Sequence, residues 1–417
     1  MTLEHAQKLD QQDPLSAMRD NFLFPTDEEG NELIYLCGNS LGLQPKRVRE
    51  LLHVELDDWA KFGVEGHFHG KNPWFDYHSF LTESMAKVVG AQPHEVVVMN
   101  ALTVNLHLLM VSFYRPTSTR YKILMEAGAF PSDQYAMDSQ ARFHGYDPKD
   151  AVIELAPREG ELTLRTEDIE AYIEEHGDEI AVVMFGGVNY YTGQALDLKR
   201  ITAAGHKKGC FVGFDLAHAA GNIQLKLHDD GPDFATWCSY KYMNSGPGGV
   251  SGIFVHDRHA DDTSVPRFEG WWGHKAETRF EMNREFVQAH GAQAWQLSNA
   301  PVMLMASLRA SLDLFDEAGM DALRAKSVKL TEYMLDLIDN FPSERFEIIT
   351  PRDPEQRGCQ ISIRTLFDGR ELFDDLTKAG IICDFRRPDV IRIAPTPLYN
   401  SFEDVWHFCQ ILEKCTK

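Results

Sequence analysis

Between about residues 90 and 290, short apolar runs alternate with stretches of helical periodicity. The runs fall at Glu95–Met99, Tyr121–Met125, Ala151–Leu155, Ile180–Phe185, Phe211–Asp215, Ala235–Ser239 and Ser251–His256. They are continuous rather than alternating, as in strands buried on both faces. Helical patterns lie between them at Val104–Phe113, Asp133–Phe143, Thr166–His176 and Asp197–Lys208, which implies parallel crossovers. The pattern predicts an α/β domain built on a mostly parallel seven-stranded sheet flanked by helices.

The flanks have a different texture. Residues 1–60 are loop-rich until a helical pattern begins after Pro45. After Pro301 come helical patterns over 302–318 and 320–340. Short strands follow at Phe346–Ile349, Gln360–Arg364, Ile381–Asp384 and Val390–Ile393, with helices near 369–379 and 402–415. This predicts a smaller α+β domain over 301–417. Residues 61–300 are expected to form the large domain, and residues 1–60 to contribute to the small domain and to the active site. No repeat or low-complexity linker interrupts the chain.

Composition narrows the function. The 417 residues carry 41 Lys plus Arg against 63 Asp plus Glu, a net charge of −22. That excess argues against nucleic acid and anionic membranes as partners. No apolar run approaches a membrane span, and the first ten residues lack the pattern of a secretory signal. The seven cysteines are scattered without C-x-x-C spacing, which reads as reduced thiols with neither a disulfide framework nor a zinc site. A cytoplasmic location is expected.

Open α/β sheets bind ligands at the carboxyl ends of their strands, so polar residues there come first. Asp215 ends Phe-Val-Gly-Phe-Asp and precedes Leu-Ala-His218. It is either part of a site or the cap of the next helix, because an unpaired buried carboxylate is costly. Lys241 stands in Ser239-Tyr240-Lys241-Tyr242, before the glycine-rich stretch Asn244–Gly252. It is an ordinary surface lysine or, partly desolvated, a nucleophilic amine suited to Schiff-base chemistry. The glycines do not make a dinucleotide fingerprint: Ser251 stands where a third glycine belongs, and a strand follows instead of a helix. Asn100–Met110 forms a strand-to-helix junction with Thr103 expected at the N-cap, either a phosphate site or a plain cap. Phe130-Pro-Ser132-Asp133 offers an aromatic face beside a hydroxyl and a carboxylate, or again a cap.

Together these parts match one cofactor. Pyridoxal 5'-phosphate needs a lysine for its aldehyde, an acid opposite its ring nitrogen, an aromatic face and a phosphate cup. Here the cup, the face, the acid and the lysine occur on successive α/β junctions.

Several stretches then carry a resemblance. They are Gly38-Asn-Ser-Leu-Gly-Leu-Gln-Pro45, Asn100-Ala-Leu-Thr-Val-Asn-Leu-His107, Phe130-Pro-Ser-Asp133 and Tyr191-Thr-Gly-Gln194. Further on come Gly213-Phe-Asp-Leu-Ala-His-Ala219, Cys238-Ser-Tyr-Lys-Tyr242, Gly270-Trp-Trp-Gly-His274 and Ile393-Ala-Pro-Thr-Pro-Leu-Tyr-Asn400. With them the chain resembles the kynureninase family of fold type I, aspartate-aminotransferase-like pyridoxal-phosphate enzymes. The resemblance implies hydrolysis of L-kynurenine to anthranilate and L-alanine, in tryptophan catabolism. It implies that Lys241 bonds the cofactor, that Asp215 pairs with the ring nitrogen and that His218 lies nearby. It places Leu102 and Thr103 at the phosphate, with Phe130, Ser132 and Asp133 around the ring. Tyr240 would touch the phosphate and donate a proton late in the reaction. Trp271 and Asn299 would reach the cofactor from the neighbouring subunit of a homodimer. Ser40, His67, Asn299 and Arg392 match substrate-binding positions, Arg392 being suited to a bidentate grip on the α-carboxylate. Having both His67 and Asn299 resembles the eukaryotic pattern, so 3-hydroxykynurenine is expected to be accepted well.

Alternatives remain within and beyond the fold. A cysteine desulfurase or selenocysteine lyase needs a reactive cysteine on a mobile loop and usually a histidine before the lysine, where this chain has Tyr240. Cys359 falls in the right part of the chain, but Gly358-Cys-Gln-Ile-Ser-Ile-Arg364 reads as the start of a strand. A cofactor-bound regulator without turnover is disfavoured by the presence of Lys241, Asp215 and Arg392. His67-Phe-His69 has no third ligand at metal-binding spacing, so no metal is expected, and His256-Asp-Arg-His259 reads as a solvated turn.

Overall fold

A computed structural model describes residues 1–341 and 344–416. All seven expected strands form, and they make one sheet. They are β1 (Val96–Val98), β2 (Lys122–Glu126), β3 (Val152–Leu155), β4 (Ile180–Gly186), β5 (Phe211–Asp215), β6 (Phe234–Trp237) and β7 (Gly252–Val255). Their order across the sheet is β1-β7-β6-β5-β4-β2-β3. Only β7 runs antiparallel to its neighbours, β1 and β6; every other pairing is parallel. Strands β1, β6 and β7 are buried throughout, and β4 at all but its last residue. An apolar cluster covers each face of the sheet, which is why the runs do not alternate. Gly213 in β5 has a packing reason: a Cβ there would lie 2.1 Å from the Phe234 ring of the next strand.

The longer helices, in chain order, are α1 (Leu3–Gln12), α2 (Val48–Phe62), α3 (Ser79–Val89), α4 (Leu102–Phe113), α5 (Pro131–Phe143), α6 (Thr166–His176), α7 (Leu198–Lys207), α8 (Val302–Ala318), α9 (Met320–Asp339), α10 (Gly369–Lys378) and α11 (Phe402–Thr416). A second, antiparallel sheet is built from β8 (Phe346–Ile348), β9 (Ile361–Thr365), β10 (Asp384–Arg386) and β11 (Val390–Ile393) in the order β8-β9-β11-β10. The expected strand Ile381–Asp384 is divided. Ile381–Ile382 pairs in parallel with Ile34–Tyr35, and only from Asp384 does the chain join the second sheet as its edge.

The first forty residues are therefore bound to the last hundred. Asp10 accepts the backbone N–H groups of Phe402 at 2.7 Å and Glu403 at 3.0 Å, satisfying donors at the start of α11. Asp13 pairs with Lys326 of α9 at 2.7 Å, with side chains only 4% and 6% exposed. This anchoring places the segment after Tyr35 against the carboxyl end of the large sheet. Gly42 donates to the Tyr240 carbonyl at 2.8 Å, and a Cβ there would stand 2.3 Å from the Lys241 carbonyl oxygen. Only glycine allows so close an approach.

Candidate active site

One cavity lies beyond the carboxyl ends of β2, β4, β5 and β6. Leu102, Thr103, Phe130, Ser132, Asp133, Asp215, His218, Tyr240 and Lys241 all line it. The structure thus gathers into one space residues spread over some 140 positions of sequence. A larger cleft, about 1010 Å³, runs past Arg165 and Arg357 and holds none of them.

Lys241 enters from just past β6, and its Nζ lies 3.0 Å from His218 Nε2. His218 is buried, and burial together with the charges of Lys241, Arg392 and Arg386 pushes its pKa far down. The imidazole is therefore neutral, and Nε2 accepts from the lysine amine. Nζ also stands 5.9 Å from the centre of the Phe130 ring and equally far from that of Tyr240. Burial likewise raises the pKa of Tyr240, with the Cys238 thiol adding to it, so the phenol keeps its proton.

Three carboxyl groups share the wall opposite. Asp215, at the end of β5, accepts the Ala217 N–H at 2.7 Å. Asp133, in the first turn of α5, is hydrogen-bonded to Asp215, and burial and that neighbour raise its pKa well above normal. Burial also raises Asp215, against the backbone N–H of Ala217 and the charge of Lys241. Glu126, the last residue of β2, accepts the Gly186 N–H at 3.0 Å, and burial pushes it up to about 7. Such a cluster is short of positive charge, and a protonated ring nitrogen supplies it. Asp133 Oδ1 and His218 Nδ1 are buried with no hydrogen-bond partner among the described residues. Both suit a polar aromatic ring held between Phe130 and the acids.

The other end of the cavity suits an anion. Thr103 is not the N-cap expected from sequence. Asn100 adopts φ 50° and turns the chain, Ala101 takes the cap position without a side-chain bond, and α4 starts at Leu102. The Thr103 hydroxyl is thereby released into the cavity, where it bonds the Ser132 hydroxyl at 2.7 Å. Helix α5 also starts without a side-chain cap, at Phe130. Two uncapped helix starts and two hydroxyls make a phosphate cup. The residues present thus fit each part of pyridoxal phosphate.

Arg392 and Ser40 lie together near the cavity, with Arg392 Nη2 3.0 Å from Ser40 Oγ and Nη1 2.8 Å from the Tyr190 carbonyl oxygen. The fork expected for a substrate carboxylate is occupied: Arg392 Nε donates to Asp384 Oδ1 at 2.6 Å, and Nη2 donates to Asp384 Oδ2. His67, Trp271 and Asn299 do not line the cavity of this chain. Asn299 and Trp271 are exposed. His67 bonds the Val64 carbonyl at 2.9 Å and meets the Trp74 ring edge-on.

Sequence reasoning passed over Glu126, Asp384 and Arg386. The strand-end rule that found Asp215 also points to Glu126, one residue beyond the run ending at Met125. His256 and His259 do not form a solvated turn. His259 bonds the buried Asp233 at 2.8 Å, and His256 lies 3.9 Å from the buried Glu95. Glu95, His228 and His256 are close enough to hold an ion. Glu95, however, already accepts the N–H groups of Gln92 and Asp257 as well as His228, so this grouping braces three segments.

Residues 323–412 match the family described as the kynureninase C-terminal domain. The chain is 62% identical over 408 residues to a kynureninase of Myxococcus xanthus, covering 98% of this chain and 96% of that protein. It is 51% identical over 436 residues to one of Nematostella vectensis, covering 99% and 94%. Among solved structures, a cysteine desulfurase of Thermococcus onnurineus superposes with a TM-score of 0.76 at 16% identity, covering 96% of this chain and 97% of that one. At that identity the likeness concerns the fold.

Proposed function

The chain belongs to the kynureninase family, and we propose that the cavity around Lys241 is where it carries out that family's reaction. The enzyme is a pyridoxal-phosphate-dependent hydrolase that converts kynurenine to anthranilate and alanine. The observation that carries the site assignment is the meeting in one cavity of Lys241 Nζ, the Asp133–Asp215 pair and the uncapped start of α4.

Bound there, the cofactor supplies an aldehyde for the substrate amine and a protonated ring that draws electrons from the bonds to be broken. The chain's own groups do the rest. Asp215 and Asp133 would hold the ring nitrogen, and the negative charge of an ionised Asp215 beside it would favour a proton on that nitrogen. Thr103, Ser132 and the first N–H groups of α4 would hold the phosphate. Phe130 closes one face. With the cofactor bound, Lys241 Nζ would be the base that removes the substrate α-proton, with neutral His218 Nε2 3.0 Å away to orient it. Tyr240, kept protonated by burial, is the donor that returns a proton to the alanine carbon after the side chain has left. Arg392 and Ser40 receive the substrate carboxylate.

The active assembly in this proposal is a homodimer. Phe68 and Phe280, 52% and 53% exposed, lie 6.1 Å apart with Trp271 against Phe280 and with Met282 and Val64 beside them in sequence. An aromatic surface of this kind suits a second copy, which would bring Trp271 and Asn299 to the partner's cavity. His67, on the same face, and Asn299 can both hydrogen-bond a phenol, so 3-hydroxykynurenine is proposed as a good substrate. A higher specificity constant for unsubstituted kynurenine would count against that preference. The seven unpaired thiols suit a reducing compartment and support a cytoplasmic location. A desulfurase reading is disfavoured: Cys359 is fully buried, its thiol pushed up to about 12 by burial.

Borohydride reduction of the cofactor-loaded protein followed by peptide mapping tests the site. The label is expected on Lys241, and turnover is expected to vanish in Lys241→Ala. A label on another lysine, or substantial residual turnover, would overturn it.

A further inference from the structure

The substrate-side arginine has little donor capacity left. Of the five N–H donors of Arg392, four are engaged: Nε and one on Nη2 with Asp384, the other on Nη2 with Ser40, and one on Nη1 with Tyr190. Neither edge of the guanidinium is free for a bidentate carboxylate. The side chain is buried at 1% exposure, so it cannot turn outward to a new edge. An amino-acid carboxylate can take its place only by exchange, and the partner that competes with it in charge and shape is Asp384.

A second arginine stands ready to receive that competitor. Arg386 follows Asp384 by two residues on the same edge strand, β10, so both side chains lie on one face. Arg386 Nη2 reaches Asp384 Oδ2 at 3.2 Å, whereas its Nε is buried with no hydrogen-bond partner. Its Nε/Nη2 fork is therefore half used. Asp384 shares Oδ2 among Arg392, Arg386 and the hydroxyl of Ser40. These three cations and anions sum to one surplus positive charge, which one substrate carboxylate neutralises.

We propose that Asp384 is a carboxylate placeholder that passes from Arg392 to Arg386 when the substrate arrives. In the free protein Asp384 fills the fork of Arg392. On binding, the α-carboxylate takes that fork and the Ser40 hydroxyl turns to it, while Asp384 closes a bidentate pair with Arg386 through the spare Nε–H. Arg386 is thus a positioning residue, and the exchange leaves neither Asp384 nor the substrate carboxylate without an arginine partner. The inference rests on the reading of Arg392 as the carboxylate-binding group.

The test compares R386Q, D384N and the double variant as cofactor-loaded proteins. It reads the KM and kcat for kynurenine, and the Kd of L-alanine by calorimetry. Arg386 is 40% exposed at its side chain, so its replacement is compatible with folding. R386Q should raise both KM and the alanine Kd about tenfold, the loss of one charge-assisted partner, with a smaller change in kcat. D384N should leave both unchanged or lower, and the double variant should follow D384N. R386K, which keeps the charge without the fork, should show a smaller rise than R386Q. Should R386Q fail to fold, the R386K rise and its cancellation by D384N carry the test. A rise in D384N equal to that in R386Q would make Asp384 an anchor and overturn the exchange, as would unshifted constants in R386Q. Wild-type protein that releases no anthranilate would instead defeat the functional reading itself.

Discussion

Replacing Glu126 by glutamine should flatten the pH dependence of stability in the cofactor-free protein. Glu126 lies at the end of β2 with 6% of its surface exposed. Burial raises its pKa from 4.5 to about 7, with the Gly186 N–H and Asn189 opposing the rise and Asp215 adding to it. The folded chain therefore holds this proton more tightly than the unfolded chain. Its contribution is fully present below pH 4.5 and is lost as pH rises through about 7. Each unit of difference corresponds to about 1.4 kcal/mol, so ionised Glu126 destabilises the fold by about 3 kcal/mol at pH 8. Glutamine imitates the protonated acid, keeping one oxygen for Gly186 and losing the titration. Urea unfolding of both proteins should give a gap of about 1 kcal/mol at pH 5 that widens to about 3 kcal/mol at pH 8, with the variant the more stable. Parallel pH profiles would refute the reasoning. So would a wild type that gains on the variant as pH rises, because Glu126 would then be ionised and paired.

Two other substitutions probe the frame of the site. Lys326→Met leaves Asp13 as an unpaired buried charge, which should lower stability by about 3–5 kcal/mol, read as a drop in Tm; a Tm within a degree of wild type would contradict this. Phe280→Asp, placed on the exposed aromatic surface, should convert the proposed dimer to a monomer in light scattering and depress turnover. A dimer of unchanged mass would remove that surface from the interface.

Much of the fold was readable because burial on both faces leaves continuous apolar runs, and all seven became strands of one sheet. The chemistry at their ends was readable for a related reason: Asp215, Lys241, Phe130 and Thr103 are polar or exposed where the apolar pattern stops. What the chain does not carry locally is partnership. Ile381–Asp384 reads as one strand, yet it divides because Ile34–Tyr35, some 350 residues earlier, claims its first half. The occupant of Arg392's fork is set by the antiparallel register that places Asp384 opposite it. His256 and His259 look solvated until Glu95 and Asp233 arrive from elsewhere in the chain. The start of α4 turned on a single left-handed residue, Asn100, a conformation that asparagine tolerates but does not announce. His67, Trp271 and Asn299 do not line this chain's own cavity, and their proposed roles depend on the proposed second copy.

Hydrolysis of kynurenine in this cavity is tested most directly by incubating the cofactor-loaded protein with L-kynurenine and quantifying both products by chromatography. Anthranilate and L-alanine should appear in equal amounts, one of each per kynurenine consumed, and neither should appear with Lys241→Ala. Kynurenine left intact by a protein that instead releases sulfide from cysteine would contradict the account.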